Sequence, residues 1–316
     1  MGGNKRREKN IVDSTNYPSL GAYDSHDEKL IDQHMLWVQE AGIDGLIVSW
    51  WGKDSFEDQA LEKLLDGSGR SGLEMTIYYE KIRGEQSARS AAEEILEVLH
   101  SHGNHPAWMR HEGKPVIFIY VRALHQIGLE SWREVVQRVN EAYPGGAILI
   151  GDSQSRRSAQ IFDGIHTYNT AGILSGMSEN KLKVWANETY SKWVRTAKRE
   201  GSISTVTVIP GYDDTKVRTP GIRVARFKGR SYREQWRAAI AANPDWVLVT
   251  SWNEWHEGSE IEPSMEYGDA YLKMTAELAT SFKGVSAVKL TPTEISKAAL
   301  DGTGRRNSRL PPNKIF

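Results

Sequence analysis

A pair of carboxylates in the segment SWNEWHEGSEIEP, residues 251–263, is the strongest chemical signal in the sequence. Glu254 and Glu257 lie three residues apart, directly after an apolar run that ends at Trp252. Two neighbouring carboxyl groups in different surroundings can have different pKa values, so one can donate a proton while the other accepts one. Hydrolysis of a glycosidic bond needs such a pair, because one group protonates the leaving oxygen and the other acts near the anomeric carbon.

The residues beside this pair are suited to binding a sugar. Trp252 and Trp255 offer ring surfaces, and Asn253 and His256 offer hydrogen-bonding groups for hydroxyls. We therefore expect Asn253 and Trp255 to contact a substrate. The alternative interpretation is that the four glutamates of this segment form a solvated, acidic surface loop.

Other polar and aromatic residues follow apolar runs elsewhere in the chain. The candidate substrate-binding residues among them are Trp50, Trp51, Tyr79, Glu80, Tyr120, His166 and Tyr168, with Tyr212 in the turn PGYDD at 210–214. Three alternatives are open: Glu80 could form a salt bridge with Lys81 or Arg83, His166 could be a hydrogen-bonded core residue, and PGYDD could be a plain turn.

Seven short apolar runs, rich in β-branched residues, predict parallel strands that are buried on both faces. They cover residues 45–51, 75–80, 115–120, 147–152, 164–169, 205–209 and 246–252. Helical patterns alternate with them, at about 28–40, 57–66, 88–101, 130–142, 188–200, 231–242 and 268–281. The gap between the fourth and fifth runs predicts an abbreviated connection. This alternation predicts an α/β fold, a (β/α)8 barrel with its active site at the carboxyl ends of the strands.

One strand of the expected eight is missing, because residues 1–27 contain no strand-like run before the first helix. Residues 285–290 are one candidate to fill the gap. We predict a polar N-terminal tail over 1–15, a single barrel domain over 16–282 and a partly disordered C-terminal tail over 283–316. The basic cluster at residues 5–9 is typical of a solvated tail.

Composition excludes several classes of function. The chain has no cysteine, so disulfides and thiolate chemistry are absent. A net charge of −1 gives no reason to expect nucleic acid as a partner, and no apolar run approaches the roughly 20 residues of a membrane span. No His-x-x-x-His spacing suggests a metal, and we expect no cofactor. Without an apolar N-terminal stretch the chain is expected in the cytoplasm as encoded, or in a secreted or lumenal compartment if a leader precedes it.

Several motifs occur in an order that resembles glycoside hydrolase family 99, the endo-α-1,2-mannosidases and endo-α-1,2-mannanases. They are NYPSLGAYDSHD, HMLWVQEAGIDGLIVSWWG, MTIYYE, GNHPAWMR with GKPVIFIY, FDGIHTYN, VIPGYDDTKVR and SWNEWHEGSEIE. The resemblance covers about residues 16–275. Two features depart from the family pattern: no aromatic first strand of the FYYPWYGNP kind is present, and VRALH follows Tyr120 where the family has Asp-Ser-Tyr.

The resemblance implies a metal-independent hydrolase that retains anomeric configuration and acts on a mannose-containing oligosaccharide or polysaccharide. It implies that Glu254 deprotonates the substrate's own 2-hydroxyl, which attacks the anomeric carbon to give a 1,2-anhydro sugar, and that Glu257 is the general acid that then activates water. Matching positions imply a sugar-binding role for Glu80, Trp50, Tyr120, Tyr168 and Asn253. The alternative function is a non-catalytic, glycan-binding or accessory barrel in polysaccharide biosynthesis.

Overall fold

All seven predicted runs form strands of one parallel sheet in the computed structural model, which describes residues 11–288 and 313–316. The basic cluster at residues 5–9 lies outside the described residues. The strands are β1 Gly45–Trp50, β2 Glu74–Tyr79, β4 Lys114–Ile119, β5 Ile148–Asp152, β6 Gly164–His166, β7 Ile203–Val208 and β10 Trp246–Val249. A short strand, β3 Arg110–His111, is antiparallel to β4, and β8 Tyr212–Asp213 pairs with β9 Arg223–Val224 in a separate hairpin.

Helices connect these strands, as predicted. They are α1 Glu28–Glu40, α2 Phe56–Arg70, α3 Ala88–His102, α4 Val121–Ile127, α5 Ser131–Ala142, α6 Arg156–Ala159, α7 Ala171–Leu174, α8 Glu179–Arg199, α9 Arg230–Ala242 and α10 Ala270–Val288. Five of them begin at a side chain that accepts a backbone N–H and so caps the first turn: Asp27, Ser55, Ser87, Ser155 and Ser178. The four-residue α6 is the abbreviated connection predicted between the fourth and fifth runs.

The strands separate two hydrophobic clusters. Phe118, Ile150 and Trp246 pack inside the barrel, whereas Ile117 and Ile119 belong to the layer between the strands and the helices. Successive residues of a strand point to opposite faces, so each strand supplies both layers. A near-continuous apolar run is therefore what a strand in this position requires.

The place of the eighth strand is taken by β11 Lys314–Ile315, from the far end of the chain. It pairs in parallel with β10, aligning Ile315 with Val247. On its other side the Asp44 N–H donates to the Ile315 carbonyl at 2.9 Å, and the Asp44 carboxylate accepts the Ile315 N–H at 2.8 Å. The sheet is thus a nearly closed, parallel, eight-stranded barrel.

This strand corrects two expectations about the C-terminus. Residues 285–288 continue helix α10 rather than filling the gap, and residues 289–290 lie outside the described residues. Disorder was the wrong prediction for residues 313–316, because Ile315 is fully buried and Phe316 is 5% exposed. Residues 313–316, two polar and two apolar, form a segment too short to show any periodicity, so they gave no signal of a strand.

Residues directly before α1 pack against the segment 251–263 instead of forming a free tail. The buried Ser14 hydroxyl donates to the Trp255 carbonyl at 2.7 Å. Further along, Asn16 donates to Glu260 at 2.9 Å and Tyr23 donates to Glu262 at 2.8 Å. The first described residues therefore hold the loop that carries the candidate chemistry.

If β11 closes the barrel, Ile315→Ala will lower the free energy of unfolding by about 2–5 kcal/mol, the usual cost of truncating a buried isoleucine. Urea denaturation followed by circular dichroism measures the change. Leu36→Ala is the matched control, because Leu36 is 52% exposed and its truncation should change stability by only about 0.5 kcal/mol. Equal effects of the two substitutions would show that residues 313–316 do not belong to the folded barrel.

Candidate active site

The loop after β10 is held in shape by its own serines. The Ser251 hydroxyl accepts the Glu254 N–H at 2.9 Å and is hydrogen-bonded to the Ser259 hydroxyl at 2.9 Å. The Ser251 carbonyl accepts the Ile261 N–H at 3.0 Å, so the loop returns to the end of its own strand. These bonds fix the backbone on both sides of Glu254 and Glu257.

Two other glutamates of this loop are buried beneath it. Glu260 is 1% exposed and pairs with Arg226 at 2.7 Å, and the Arg226 guanidinium lies over the ring of Tyr271 at 4.4 Å. Glu262 is 2% exposed, lies 3.2 Å from His34 and accepts the Tyr23 hydroxyl. The interpretation of this segment as a solvated acidic loop is therefore wrong.

A cleft of about 600 Å³ opens at the carboxyl ends of the barrel strands. It brings together four carboxylates from distant parts of the sequence: Glu57 on α2, Glu80 after β2, and Glu254 and Glu257 after β10. Of the other predicted site residues, those that line the same cleft are Trp51, Tyr120, His166, Tyr168 and Asn253. The cleft therefore contains a cluster of carboxylates flanked by aromatic rings, as their positions at the strand ends predicted.

Glu257 is held by two donors. The Tyr168 hydroxyl donates to it at 3.1 Å, and the Arg218 guanidinium donates at 3.3 Å. Arg218 is itself placed by the buried Asp214 carboxylate and by the Tyr212 hydroxyl, to which it donates at 2.9 Å. The segment PGYDD is therefore more than a plain turn. Tyr212 does not line the cleft, but its hydroxyl lies close to Glu257 and donates to Asp214 at 3.2 Å.

Glu254 is in a different environment. The open cleft leaves its side chain accessible to solvent, yet protein atoms surround the carboxylate on most sides. This burial, reinforced by the negative charges of Glu257 and Glu80, raises the pKa of Glu254 to about 7. Among the described residues no side chain donates a hydrogen bond to the Glu254 carboxylate, so its lone pairs face the cleft.

Glu80 also lines the cleft, and it is 8% exposed. Burial raises its pKa to about 7, although the Ser49 hydroxyl, which donates to it at 2.8 Å, opposes the shift. Ser49 in turn accepts the Trp51 indole N–H at 2.9 Å. Within residues 11–288 and 313–316 no lysine or arginine lies within salt-bridge distance of Glu80, so the predicted alternative of an ion pair with Lys81 or Arg83 is wrong.

Three predicted substrate-binding residues face away from the cleft. Trp50 is 2% exposed and its indole N–H donates to Asp58 at 2.7 Å, behind the barrel wall. Tyr79 is fully buried and its hydroxyl donates to Glu94 on α3 at 2.6 Å. Trp255 is buried beneath the loop, and its indole N–H donates to the Tyr23 hydroxyl at 3.0 Å. None of these rings can stack on a bound sugar.

Side chains alternate between the two faces of a strand, and this alternation explains why Trp50 and Tyr79 were wrongly predicted and why Tyr78 and Ser49 were missed. Glu80 points into the barrel, so Tyr78, two residues earlier, points there too, whereas Tyr79 points outward. Tyr78 lines the cleft and its hydroxyl donates to Asp152 at 3.0 Å. The same rule places Ser49 and Trp51 on the cleft side and Trp50 on the other. Alternation at the strand ends was the signal that could have found Tyr78 and Ser49.

His166 is a buried core residue that also borders the cleft. It is 1% exposed, lies 3.4 Å from the Ile119 carbonyl and borders the floor of the cleft. Burial lowers its pKa, which favours the neutral imidazole. Trp252 and Arg218 also line the cleft and were not among the predicted site residues.

The described part of the chain contains no group of three or more histidine and carboxylate side chains arranged to hold a metal ion. Among the described helices, none combines the length and apolar character needed to cross a membrane.

A (β/α)8 barrel with several carboxylates and aromatic rings at the carboxyl ends of its strands is an architecture that glycoside hydrolases use. The sequence model of glycosyl hydrolase family 99 matches residues 2–274. The chain belongs to this family, as the motif resemblance indicated.

Known relatives agree with this assignment. The chain is 28% identical over 281 residues to glycoprotein endo-alpha-1,2-mannosidase of Rattus norvegicus, covering 80% of this chain and 58% of the relative. It therefore spans a little over half the length of that relative. A solved structure of the GH99 endo-alpha-mannosidase from Bacteroides thetaiotaomicron superimposes with a TM-score of 0.75 at 26% identity, covering 88% of this chain and 86% of that one.

The raised pKa of Glu80 makes stability depend on pH. Between its ordinary value of 4.5 and about 7 the folded protein keeps a proton that the unfolded chain has lost. This contribution to stability is complete below about pH 4.5 and is lost as the pH rises through 7. Relative to wild type, Glu80→Gln should therefore gain stability between pH 5 and pH 8, by up to about 3 kcal/mol.

Urea denaturation at pH 5 and pH 8 measures this difference. Glu85→Gln is the control, because Glu85 is exposed and its replacement should change the free energy of unfolding equally at pH 5 and at pH 8. If Glu80→Gln and wild type kept the same difference in stability at both pH values, Glu80 would not be a desolvated carboxyl.

Proposed function

We propose that this protein is an endo-acting α-mannosidase that hydrolyses α-mannosidic linkages within glycans or mannan and retains anomeric configuration. Family membership and the activities of its relatives support a glycan substrate. The observation that carries the proposal is the pair Glu254 and Glu257, two carboxylates in one cleft with different contacts.

In the first step the Glu254 carboxylate takes the proton of the substrate's 2-hydroxyl, and that oxygen attacks the anomeric carbon. The glycosidic bond breaks, and the leaving oxygen receives a proton from Glu257, giving a 1,2-anhydro sugar. In the second step Glu257 takes a proton from water as the water attacks the anomeric carbon, and Glu254 returns its proton to the 2-oxygen. After the second step Glu254 is again ionised and Glu257 is again protonated.

The environment of Glu254 supports its role as the base, and the contacts of Glu257 orient its carboxyl group. A general base works best with a pKa near the operating pH, and that of Glu254 is about 7. Its unoccupied lone pairs leave room for a hydroxyl. Glu257 is oriented by Tyr168 and Arg218, and a fixed geometry is what transfer of a proton to a departing oxygen requires.

Substitution separates the two roles. Glu254→Gln should lower the rate by roughly 10²–10⁴-fold on both an α-1,2-linked manno-oligosaccharide and a disaccharide α-fluoride, because both need the base. Glu257→Gln should lower the rate by a comparable factor on the oligosaccharide. On the fluoride the rate should fall far less, because fluoride departs without acid assistance. Product analysis by chromatography, with proton NMR for configuration, measures both effects, and Glu85→Gln is the control.

Full activity of either variant on the oligosaccharide would refute the assigned roles. Binding of the oligosaccharide without turnover by folded wild-type protein would instead support the alternative, a non-catalytic glycan-binding barrel.

The rate should also fall with acidity, because protonated Glu254 cannot act as a base. We expect kcat/KM to decline about tenfold per pH unit below a midpoint near pH 7. Since the charge of Glu80 is one cause of the raised pKa of Glu254, Glu80→Gln should move this midpoint to lower pH. A pH–rate profile of wild type and variant tests this, and an unchanged midpoint would contradict it.

A further inference from the structure

Two cations lie against the ring of Trp51 at one side of the cleft. The Lys81 ammonium is 5.3 Å from the ring centroid, and the Arg122 guanidinium is 4.9 Å from it and 5.6 Å from the ring of Tyr120. The three residues follow three neighbouring strands: Trp51 follows β1, Lys81 lies just after β2, and Arg122 lies just after β4. The barrel itself therefore brings these charges together.

Neither cation is neutralised by direct contact with another described residue. Within the part of the chain that the structure describes, no carboxylate lies within 4 Å of the Lys81 ammonium or of the Arg122 guanidinium. Other cations near the cleft differ, because Arg218 pairs with Asp214 and Glu257 and Arg226 pairs with Glu260. Contact with aromatic faces holds Lys81 and Arg122 in place and leaves their N–H donors open to a ligand.

The location of these donors decides what they can bind. Arg122 lines the same cleft as Glu80 and Glu254, whose negative charges repel an anion placed among them. Lys81 and Arg122 add positive charge at the Trp51 side of the cleft, where the Ser49 hydroxyl joins the Trp51 indole to Glu80. A guanidinium donates two parallel hydrogen bonds to a carboxylate or phosphate, and an ammonium beside it adds a second charge.

We infer that the preferred substrate is an anionic glycan, whose carboxylate or phosphate group is bound by Lys81 and Arg122 beside Trp51. This inference rests on the proposed function and narrows its substrate class. The site selects among α-mannosides by the charge of a sugar near the cleavage point, while the chemistry at Glu254 and Glu257 stays the same.

The test compares three α-1,2-linked manno-oligosaccharides of equal length: neutral, carrying one phosphate monoester, and carrying one terminal uronic acid. Wild type should have a kcat/KM at least tenfold higher on one of the charged substrates than on the neutral one, and the preferred substrate distinguishes phosphate from carboxylate. Added salt should reduce this ratio.

Arg122→Gln and Lys81→Gln should each lower the ratio of charged to neutral kcat/KM by about tenfold, chiefly through KM. Arg138→Gln is the matched control, because it removes one positive charge from the outer helix α5 and should leave the ratio unchanged. Equal kcat/KM on all three substrates, or a ratio that Arg122→Gln and Lys81→Gln leave intact, would overturn the inference while the proposed hydrolysis stands.

Titration calorimetry distinguishes a failure of the anionic-glycan inference from a failure of the proposed function. If wild type cleaves none of the three substrates, the same glycans are titrated into wild type, Arg122→Gln and Lys81→Gln. Tighter binding of a charged glycan, lost in both variants, would support the anionic site without catalysis. Equal binding of charged and neutral glycans, or no binding, would overturn it.

Discussion

Arg226 pairs with Glu260 beneath the loop after β10, and Tyr23 donates to Glu262 from the opposite side. An unpaired buried carboxylate is costly, and these contacts neutralise Glu260 and satisfy Glu262 by a hydrogen bond. The same loop can therefore also carry Glu254 and Glu257 in the cleft. Asn16 and Ser14 complete the support from the first described residues. The site therefore depends on segments that are more than 200 residues apart in the sequence.

The carboxylates of the cleft are held at a cost to the fold. Burial raises the pKa values of Glu80 and Glu254 to about 7, which means that ionising them is less favourable in the folded protein than in water. For Glu254 in the proposed role of base, the same shift places the pKa near neutral pH, where proton transfer is efficient. Stability and chemistry make opposite demands on these two residues, as is common at functional sites.

The barrel is closed by residues that the family model does not reach. That model matches residues 2–274, whereas β11 begins at Lys314. A parallel strand can enter the barrel from either end of the chain, because the place between β10 and β1 requires only backbone partners and an apolar residue facing each layer. Ile315 and Phe316 meet that requirement, and Phe316 also borders the cleft. The support of the site thus includes the last residues of the chain.

The sequence by itself determined the seven strands from 45 to 252, the helices between them, the barrel class and the carboxylate pair, because each depends on short-range periodicity or on a local motif. It also placed Glu80, Tyr120 and Tyr168 at the correct end of the barrel. Only the tertiary structure decided which side chains enter the cleft: Trp50 and Tyr79 point outward and Tyr78 inward, since the pleat reverses direction at each residue. It alone decided that Arg218 reaches Glu257, that Lys81 and Arg122 meet at Trp51, and that residues 313–316 complete the sheet. Such contacts join residues far apart in the chain, and no local pattern encodes them.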